Sequence, residues 1–279
     1  MTKIAIVTDS TAYLPKAFIE SNNIKVIPLK IHWDDDDFED GVNITPTQFY
    51  ERLEKSSTIP TTSQPTAEEF LRIFEELAPH CEGIVVPLIS SGISGTVASA
   101  QAAVSMFSKV PVEVIDSRST SAGLALVVMA IAQDVSEGKS LNEVKLHAEE
   151  ILQRMSLFFV VNTLKYLHKG GRIGGASRYL GTMLSIKPIL YIKGTIDALE
   201  KVRTKKKAIE RLIDLAVDKA AGKPARVGVM HANALEEAKN LRGYLQLQIN
   251  CKEIEIYDIS PVIGTHVGPG TLGVAVYPE

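Results

Sequence analysis

Gly83-Ile84-Val85-Val86-Pro87-Leu88-Ile89-Ser90-Ser91-Gly92-Ile93-Ser94-Gly95-Thr96 is the stretch whose reading decides the fold. An apolar run gives way to a hydroxyl-rich turn. The turn leads into Val97-Ala98-Ser99-Ala100-Gln101-Ala102-Ala103-Val104, whose small residues suit a tightly packed helix. The order is therefore strand, turn, helix start. A helix start leaves backbone N–H groups unpaired and carries a partial positive charge, so it can receive an anion without a formal cation. Ser and Thr can also be plain helix caps at such a place. The density of hydroxyls and glycines here, repeated in similar clusters elsewhere, favours a ligand site.

Two more strands share this pattern. Lys3 to Val7 is short and nearly all apolar, and it ends in Thr8-Asp9-Ser10-Thr11. Val112-Glu113-Val114-Ile115-Asp116-Ser117 precedes a long apolar helix from Ala122. Such alternation predicts a parallel sheet wound by right-handed crossovers, with ligands beyond the carboxyl ends of the strands. The ends at Asp9, Ser90 and Asp116 are expected on one edge. A helix is expected from Pro15, and Ile24 to Trp33 alternates like one strand. Asp34-Asp35-Asp36-Asp37 reads as a solvated turn without chemistry. Thr45-Pro46-Thr47-Gln48, Thr66 with Glu69, and Ser140 with Glu143 read as capping boxes. Pro60 and Pro65 exclude helix between them and leave Thr61, Thr62 and Ser63 as further hydroxyls at a helix entrance.

A boundary is expected near Met155, where glycines and basic residues replace Ala-rich helices. Lys169-Gly170-Gly171-Arg172-Ile173-Gly174-Gly175 is the most irregular piece. Ile189 to Ile192, the turn Lys193-Gly194 and the alternating Ile196, Ala198 and Val202 predict a hairpin. Arg203-Thr204-Lys205-Lys206-Lys207 opens a helix with cations that oppose the macrodipole, which suits either a solvated face or an anion or partner contact. Strands Arg226–Met230, Glu253–Ile259 and Leu272–Tyr277, with helix Leu235–Leu245, complete a second α/β unit. Ile263-Gly264-Thr265-His266-Val267-Gly268-Pro269-Gly270 reads as a loop whose glycines approach something closely, with His266 as a site candidate.

The chain has 279 residues, with 30 Lys+Arg against 33 Asp+Glu and a net charge of -3. That balance is no footprint for nucleic acid and gives no pull towards an anionic membrane. Cys81 and Cys251 have no metal-ligand spacing and are too few for a disulfide framework, so they read as buried thiols in a reducing compartment. Met1 to Asp9 reaches an acidic residue too soon for a secretory segment, which points to the cytoplasm. The apolar run Ala122–Ala132 falls short of the roughly 20 residues that cross a bilayer, so no stable membrane insertion is expected. Gly268-Pro269-Gly270-Thr271-Leu272-Gly273 matches a dinucleotide fingerprint as a string, but no crossover helix or ribose-binding acid follows. Gly92-Ile93-Ser94-Gly95-Thr96 resembles a nucleophile elbow, and Ser94, Asp258 and His266 occur in hydrolase order, but Thr96 stands where the elbow needs Gly. A serine hydrolase acting on an acyl ester through Ser94 and His266 is the alternative reading.

Five stretches together resemble the DegV family of bacterial fatty acid-binding proteins. They are Val7-Thr8-Asp9-Ser10-Thr11, Pro60-Thr61-Thr62-Ser63-Gln64-Pro65, Ser91-Gly92-Ile93-Ser94-Gly95-Thr96, Lys169-Gly170-Gly171-Arg172-Ile173 and Gly264-Thr265-His266-Val267-Gly268-Pro269-Gly270. The resemblance implies two α/β domains: a Rossmann-like parallel-sheet domain over residues 1–156, and a second with a mixed sheet over residues 157–279. It implies one long-chain fatty acid at their interface and no cofactor of the protein's own. It also implies a non-enzymatic role as the carrier subunit of a fatty acid kinase, whose ATP-dependent partner makes an acyl-phosphate for phospholipid synthesis. By that analogy Thr61, Thr62, Ser63, Ser94, Gly95, Thr265 and His266 surround the carboxylate. Arg172 and Arg203 face the kinase or the phosphate. Which of Thr61, Thr62 and Ser63 makes contact is left open. Neutral hydroxyls, without Arg among them, would orient the carboxylate and leave it nucleophilic.

Overall fold

The computed structural model describes residues 4–182 and 186–279. Lys3, where the first strand was expected to begin, lies outside the described residues. The chain runs β1 (Ile4–Asp9), α1 (Lys16–Ser21), β2 (Lys25–Ile27), β3 (Lys30–Trp33), β4 (Asp36–Glu39), α2 (Pro46–Lys55), β5 (Thr61–Ser63), α3 (Ala67–Leu77), β6 (Gly83–Leu88), α4 (Thr96–Ser105), β7 (Val112–Asp116), α5 (Ser121–Ser136) and α6 (Leu141–Arg154). It continues through β8 (Ser156–Val160), α7 (Lys165–Lys169), β9 (Lys187–Lys193), β10 (Thr195–Val202), α8 (Lys205–Ala220), β11 (Ala225–His231), α9 (Leu235–Gln248), β12 (Cys251–Asp258), α10 (Pro261–Val267) and β13 (Leu272–Pro278).

Three sheets result. β2-β1-β6-β7 is wholly parallel. Its strands read as continuous apolar runs because helices cover both faces. β10-β9-β8-β13-β11-β12 is antiparallel except for the β11/β12 pair. β4-β3-β5 is a small antiparallel sheet. The fold is therefore α/β with one parallel and one mixed sheet. β8, beginning at Ser156, is the first strand of the six-stranded sheet. The largest core cluster draws on both halves, with Val85, Ile131, Phe159 and Tyr257 among its members.

The three strand ends do share an edge. Chain order in the parallel sheet reverses between β1 and β6, the topological switch point where open α/β sheets bind ligands. There the buried Asp9 carboxylate accepts the Ile89 N–H at 2.6 Å and the Thr11 N–H at 2.9 Å. One strand over, Asp116 accepts the Ser91 N–H at 3.2 Å and the Ser91 hydroxyl at 2.5 Å.

Four expectations need correction. Ile24–Trp33 is two strands in different sheets, because Pro28 has no N–H to continue a ladder. Asp36 and Asp37 are strand residues, leaving Asp34 and Asp35 as the hairpin turn. Gly264 through Val267 belongs to helix α10, whose start carries Pro261 after a capping Ser260. Cys81 and Cys251 are only half-buried. Among the described residues no helix is long and apolar enough to cross a membrane.

Helix α5 lies between the sheets. Twelve of its sixteen residues are buried, so it has no solvent face to speak of. Small residues let it approach the mixed sheet closely. A Cβ on Gly228 of β11 would stand 2.9 Å from the Ala122 Cβ, nearer than carbon atoms pack. Gly228→Ala is therefore expected to lower stability by about 1–3 kcal/mol, the range for overpacking a dense core. Urea unfolding checks this, and an unchanged midpoint would remove α5–β11 contact as the constraint.

Candidate functional site

A cavity opens between the carboxyl edge of the parallel sheet and the mixed sheet. Roughly 680 Å3 there is free of protein atoms, a figure that includes solvent open at the mouth. Its walls are mostly apolar: Ile89 and Ile93 follow β6, Phe159, Ile192 and Met230 come from the mixed sheet, and Ile263 lies on α10. Thr62, Ser63, Ser94, Arg172 and His266 also line it.

Each polar side chain is held by local structure. β5 pairs Thr62 opposite Ile31 of β3, and neighbouring residues on a strand point to opposite faces. Thr62 Oγ1 accordingly meets His266 Nε2 at 2.8 Å, and Ser63 Oγ meets His32 Nε2 at 2.8 Å. Helix α10, which carries His266, is pinned at its start. Ser260 accepts the Ile263 N–H at 3.4 Å, buried Asp40 accepts the Val262 N–H at 3.4 Å, and Tyr50 donates to the Ile259 carbonyl at 3.0 Å. Gly264 is the close approach expected here, but it is to protein: a Cβ would stand 2.5 Å from the Tyr50 hydroxyl.

His266 Nδ1 is buried without a hydrogen-bond partner. Burial first, and then the Arg172 charge, lower the imidazole pKa to about 4, so the ring is neutral at neutral pH. A Cβ on Gly170 would stand far inside van der Waals contact distance of Nδ1. Ser94 sits one turn past Ser90, whose carbonyl accepts the Ser94 N–H at 3.1 Å. Gly95 is the N-cap of α4 and has no side chain to cap with, so Ser94 Oγ reaches the Thr96 N–H at 3.4 Å and the Thr96 hydroxyl at 2.8 Å.

Arg172 corrects the expectation of a clamp without a cation. Its Nε donates to the Ile93 carbonyl at 3.1 Å and its Nη1 to the Gly170 carbonyl at 2.7 Å. Both partners are neutral, and among the described residues no carboxylate pairs with this guanidinium at the cavity wall. The other candidates lie outside this lining. Thr61 is exposed on β5, and Arg203 is exposed beyond β10. Gly95 faces an outer cleft that shares Ser94 and Arg172 with the cavity. Thr265 is buried and donates its hydroxyl to the Pro261 carbonyl at 3.0 Å, which closes a turn of α10.

Thr120 and Ser121, at the start of α5, also line the cavity and were missed in the sequence. Ser117-Arg118-Ser119-Thr120-Ser121 repeats the strand, hydroxyl turn, helix order of Ser90–Thr96, which was the available signal. The hydrolase triad does not assemble. Ser94 bonds Thr96, His266 bonds Thr62, and Asp258 lies 3.5 Å from His231. A hydroxyl–imidazole–carboxylate chain does exist at Ser63–His32–Asp37, with 2.6 Å between His32 Nδ1 and Asp37 Oδ1. The Asp37 side chain is 81% exposed, so water screens the charge that a buried triad carboxylate would supply.

Comparison with known proteins adds to this geometry. A family model described as "Uncharacterised protein, DegV family" matches residues 3–279. A DegV domain-containing protein of Halalkalibacterium halodurans is 38% identical over 282 residues, covering 100% of both chains. A solved structure described as fatty acid binding of a DegV family protein from Thermus thermophilus superposes with a TM-score of 0.95 at 32% identity, covering 100% of each chain. DegV of Bacillus subtilis, described as a fatty acid binding protein, superposes with a TM-score of 0.93 at 35% identity and the same coverage.

The neutral His266 makes a signed pH prediction. Its folded pKa lies below the unfolded value of 6.5, so the unfolded chain binds the extra proton between the two values. Its contribution is present above pH 6.5 and lost as pH falls towards 4. Urea unfolding of the protein and of His266→Gln is expected to show a stability difference that shrinks by about 3 kcal/mol over that window. A constant difference would mean the imidazole is not held neutral.

Proposed function

The chain belongs to the DegV family, and on that premise we propose that its cavity holds one long-chain fatty acid. The carboxylate lies at Thr62, Ser94 and His266, and the tail lies between the sheets. The carrying observation is the make-up of the cavity: mostly apolar walls between two sheets, with a neutral imidazole bonded to a hydroxyl and a guanidinium whose hydrogen-bond partners are neutral carbonyls. We read residues 1–156 and 157–279 as two domains that meet at this cavity.

In a neutral imidazole one nitrogen donates and the other accepts. If Nε2–H donates to Thr62 Oγ1, the buried Nδ1 keeps only a lone pair unmet, which costs less than a buried N–H without an acceptor. The Thr62 hydroxyl is then free to donate its own proton to the carboxylate. Arg172 adds long-range attraction with its fork turned to backbone carbonyls, so the carboxylate keeps its nucleophilic electron pair. The outer cleft past Ser94 and Gly95 gives the phosphoryl donor an approach to that carboxylate.

We extend the reading to a cytoplasmic carrier without a catalytic cycle of its own. A carboxylate oxygen attacks the γ-phosphorus of ATP held by a partner kinase, the bond to ADP breaks, and the acyl-phosphate enters phospholipid synthesis. The exposed Arg203 would face that partner.

Magnitudes divide the work. Each buried methylene contributes about 0.8 kcal/mol, whereas each head-group hydrogen bond contributes about 1 kcal/mol. A tail of ten or more methylenes therefore dominates affinity, and the polar end sets orientation. Native mass spectrometry of the purified protein is expected to show one co-bound fatty acid. A lipid-free protein whose serine reacts with a fluorophosphonate would overturn the carrier reading. Thr62→Val is expected to weaken binding by no more than about tenfold while acyl-phosphate formation with the kinase falls much further. An equal loss in both would mean that the head group does not orient the reaction.

A further inference from the structure

Two hydroxyls inside the cavity take no part in the head-group arrangement. Ser119, Thr120 and Ser121 are 5%, 3% and 0% exposed, and none of their hydroxyls has a hydrogen-bond partner. Thr120 and Ser121 line the cavity. They stand at the start of α5, a sixteen-residue helix. Thr120 occupies the N-cap position, yet its side chain makes no capping bond. The first amide groups of α5 therefore add their partial positive charge to hydroxyl donors that point into apolar surroundings.

This cluster is separate from the polar end already described. The Ser119 carbonyl accepts the Ser90 N–H at 2.8 Å, which places the α5 start beside the first residue of the Ser90 turn, while Ser94 lies at its far end with Thr96. The same cavity is lined by Ile89, Phe159, Ile192 and Met230. A hydroxyl buried against such residues destabilises the fold unless it meets an acceptor, and a plain hydrocarbon chain has none.

Resting on the fatty-acid reading above, we infer that Thr120 and Ser121 form a second polar subsite that receives an oxygen atom carried on the acyl chain, a hydroxy or keto group. The cavity then prefers an oxygenated chain to a plain one of equal length. The preference is positional, since the α5 start is fixed relative to Thr62, Ser94 and His266.

The test is competition binding to delipidated protein with octadecanoic acid and its monohydroxy positional isomers. One position is expected to bind about tenfold more tightly than the plain acid, equivalent to ~1.4 kcal/mol. In the double variant Thr120→Val, Ser121→Ala that preference is expected to vanish, so that no positional isomer competes better than the plain acid. If the double variant fails to fold, Thr120→Val alone keeps the shape of the site and should lose at least part of the preference. A flat positional profile, or tightest binding of the plain acid because water alone meets the hydroxyls, overturns the inference. So does a preference that survives both variants. Failure of every chain to bind would instead overturn the fatty-acid reading itself.

Discussion

A helix that is apolar on every side has to be covered on every side, and α5 sets the terms for the rest of the molecule. The parallel sheet cannot enclose it alone, so the mixed sheet closes over its other face, with Ala122 against Gly228 and Gly123 a Cβ contact of 3.2 Å from the Leu157 side chain. Two sheets held apart by one buried helix meet imperfectly at that helix's end. The space left there is the cavity, and the polar first turn of α5 is forced to face it. The cavity thus follows from the packing of the core.

Electrostatics in this space are governed by burial more than by pairing. His266 is kept neutral by burial, with Arg172 adding to the effect. Asp40, which bridges the Ser10 hydroxyl at 2.8 Å and the α10 start, is pushed up to about 7 by burial against the opposing effect of its hydrogen bonds. The two shifts have opposite signs in their pH dependence. His266 loses its contribution as pH falls from 6.5 towards 4, whereas the contribution of protonated Asp40 is fully present below its ordinary value of 3.8 and is lost as pH rises through about 7. Both act on α10, so across the mildly acidic range the change at one group offsets the change at the other.

Much of the architecture was legible because local rules and tertiary packing agreed. β1, β6 and β7 are short apolar runs, and parallel strands covered on both faces must be. Thr45, Thr66 and Ser140 form the capping boxes their spacing announced. The convergence of Thr62, Ser94 and His266 followed from the family resemblance more than from any local pattern. Legibility failed where a residue answered to a distant partner. Gly264 and Gly268 look like loop glycines, but Gly264 is small because Tyr50, more than two hundred residues earlier in the chain, packs on it. Arg172 sits in a glycine-rich stretch that carries no sign of Ile93, its partner from the other half. Thr120 and Ser121 look like caps, and only the fold reveals that they do not cap.

β13 lies between β8 and β11 in the mixed sheet, yet residues 272–278 follow every other element in the chain. During synthesis the parallel sheet and α5 can form while β8 and β11 still lack the strand that joins them. A chain made only as far as β12 therefore presents one face of its most hydrophobic helix to the cell until β13 joins the sheet. The cavity at the α5 start has to wait for the same event, and until then the nascent chain depends on whatever shields that face.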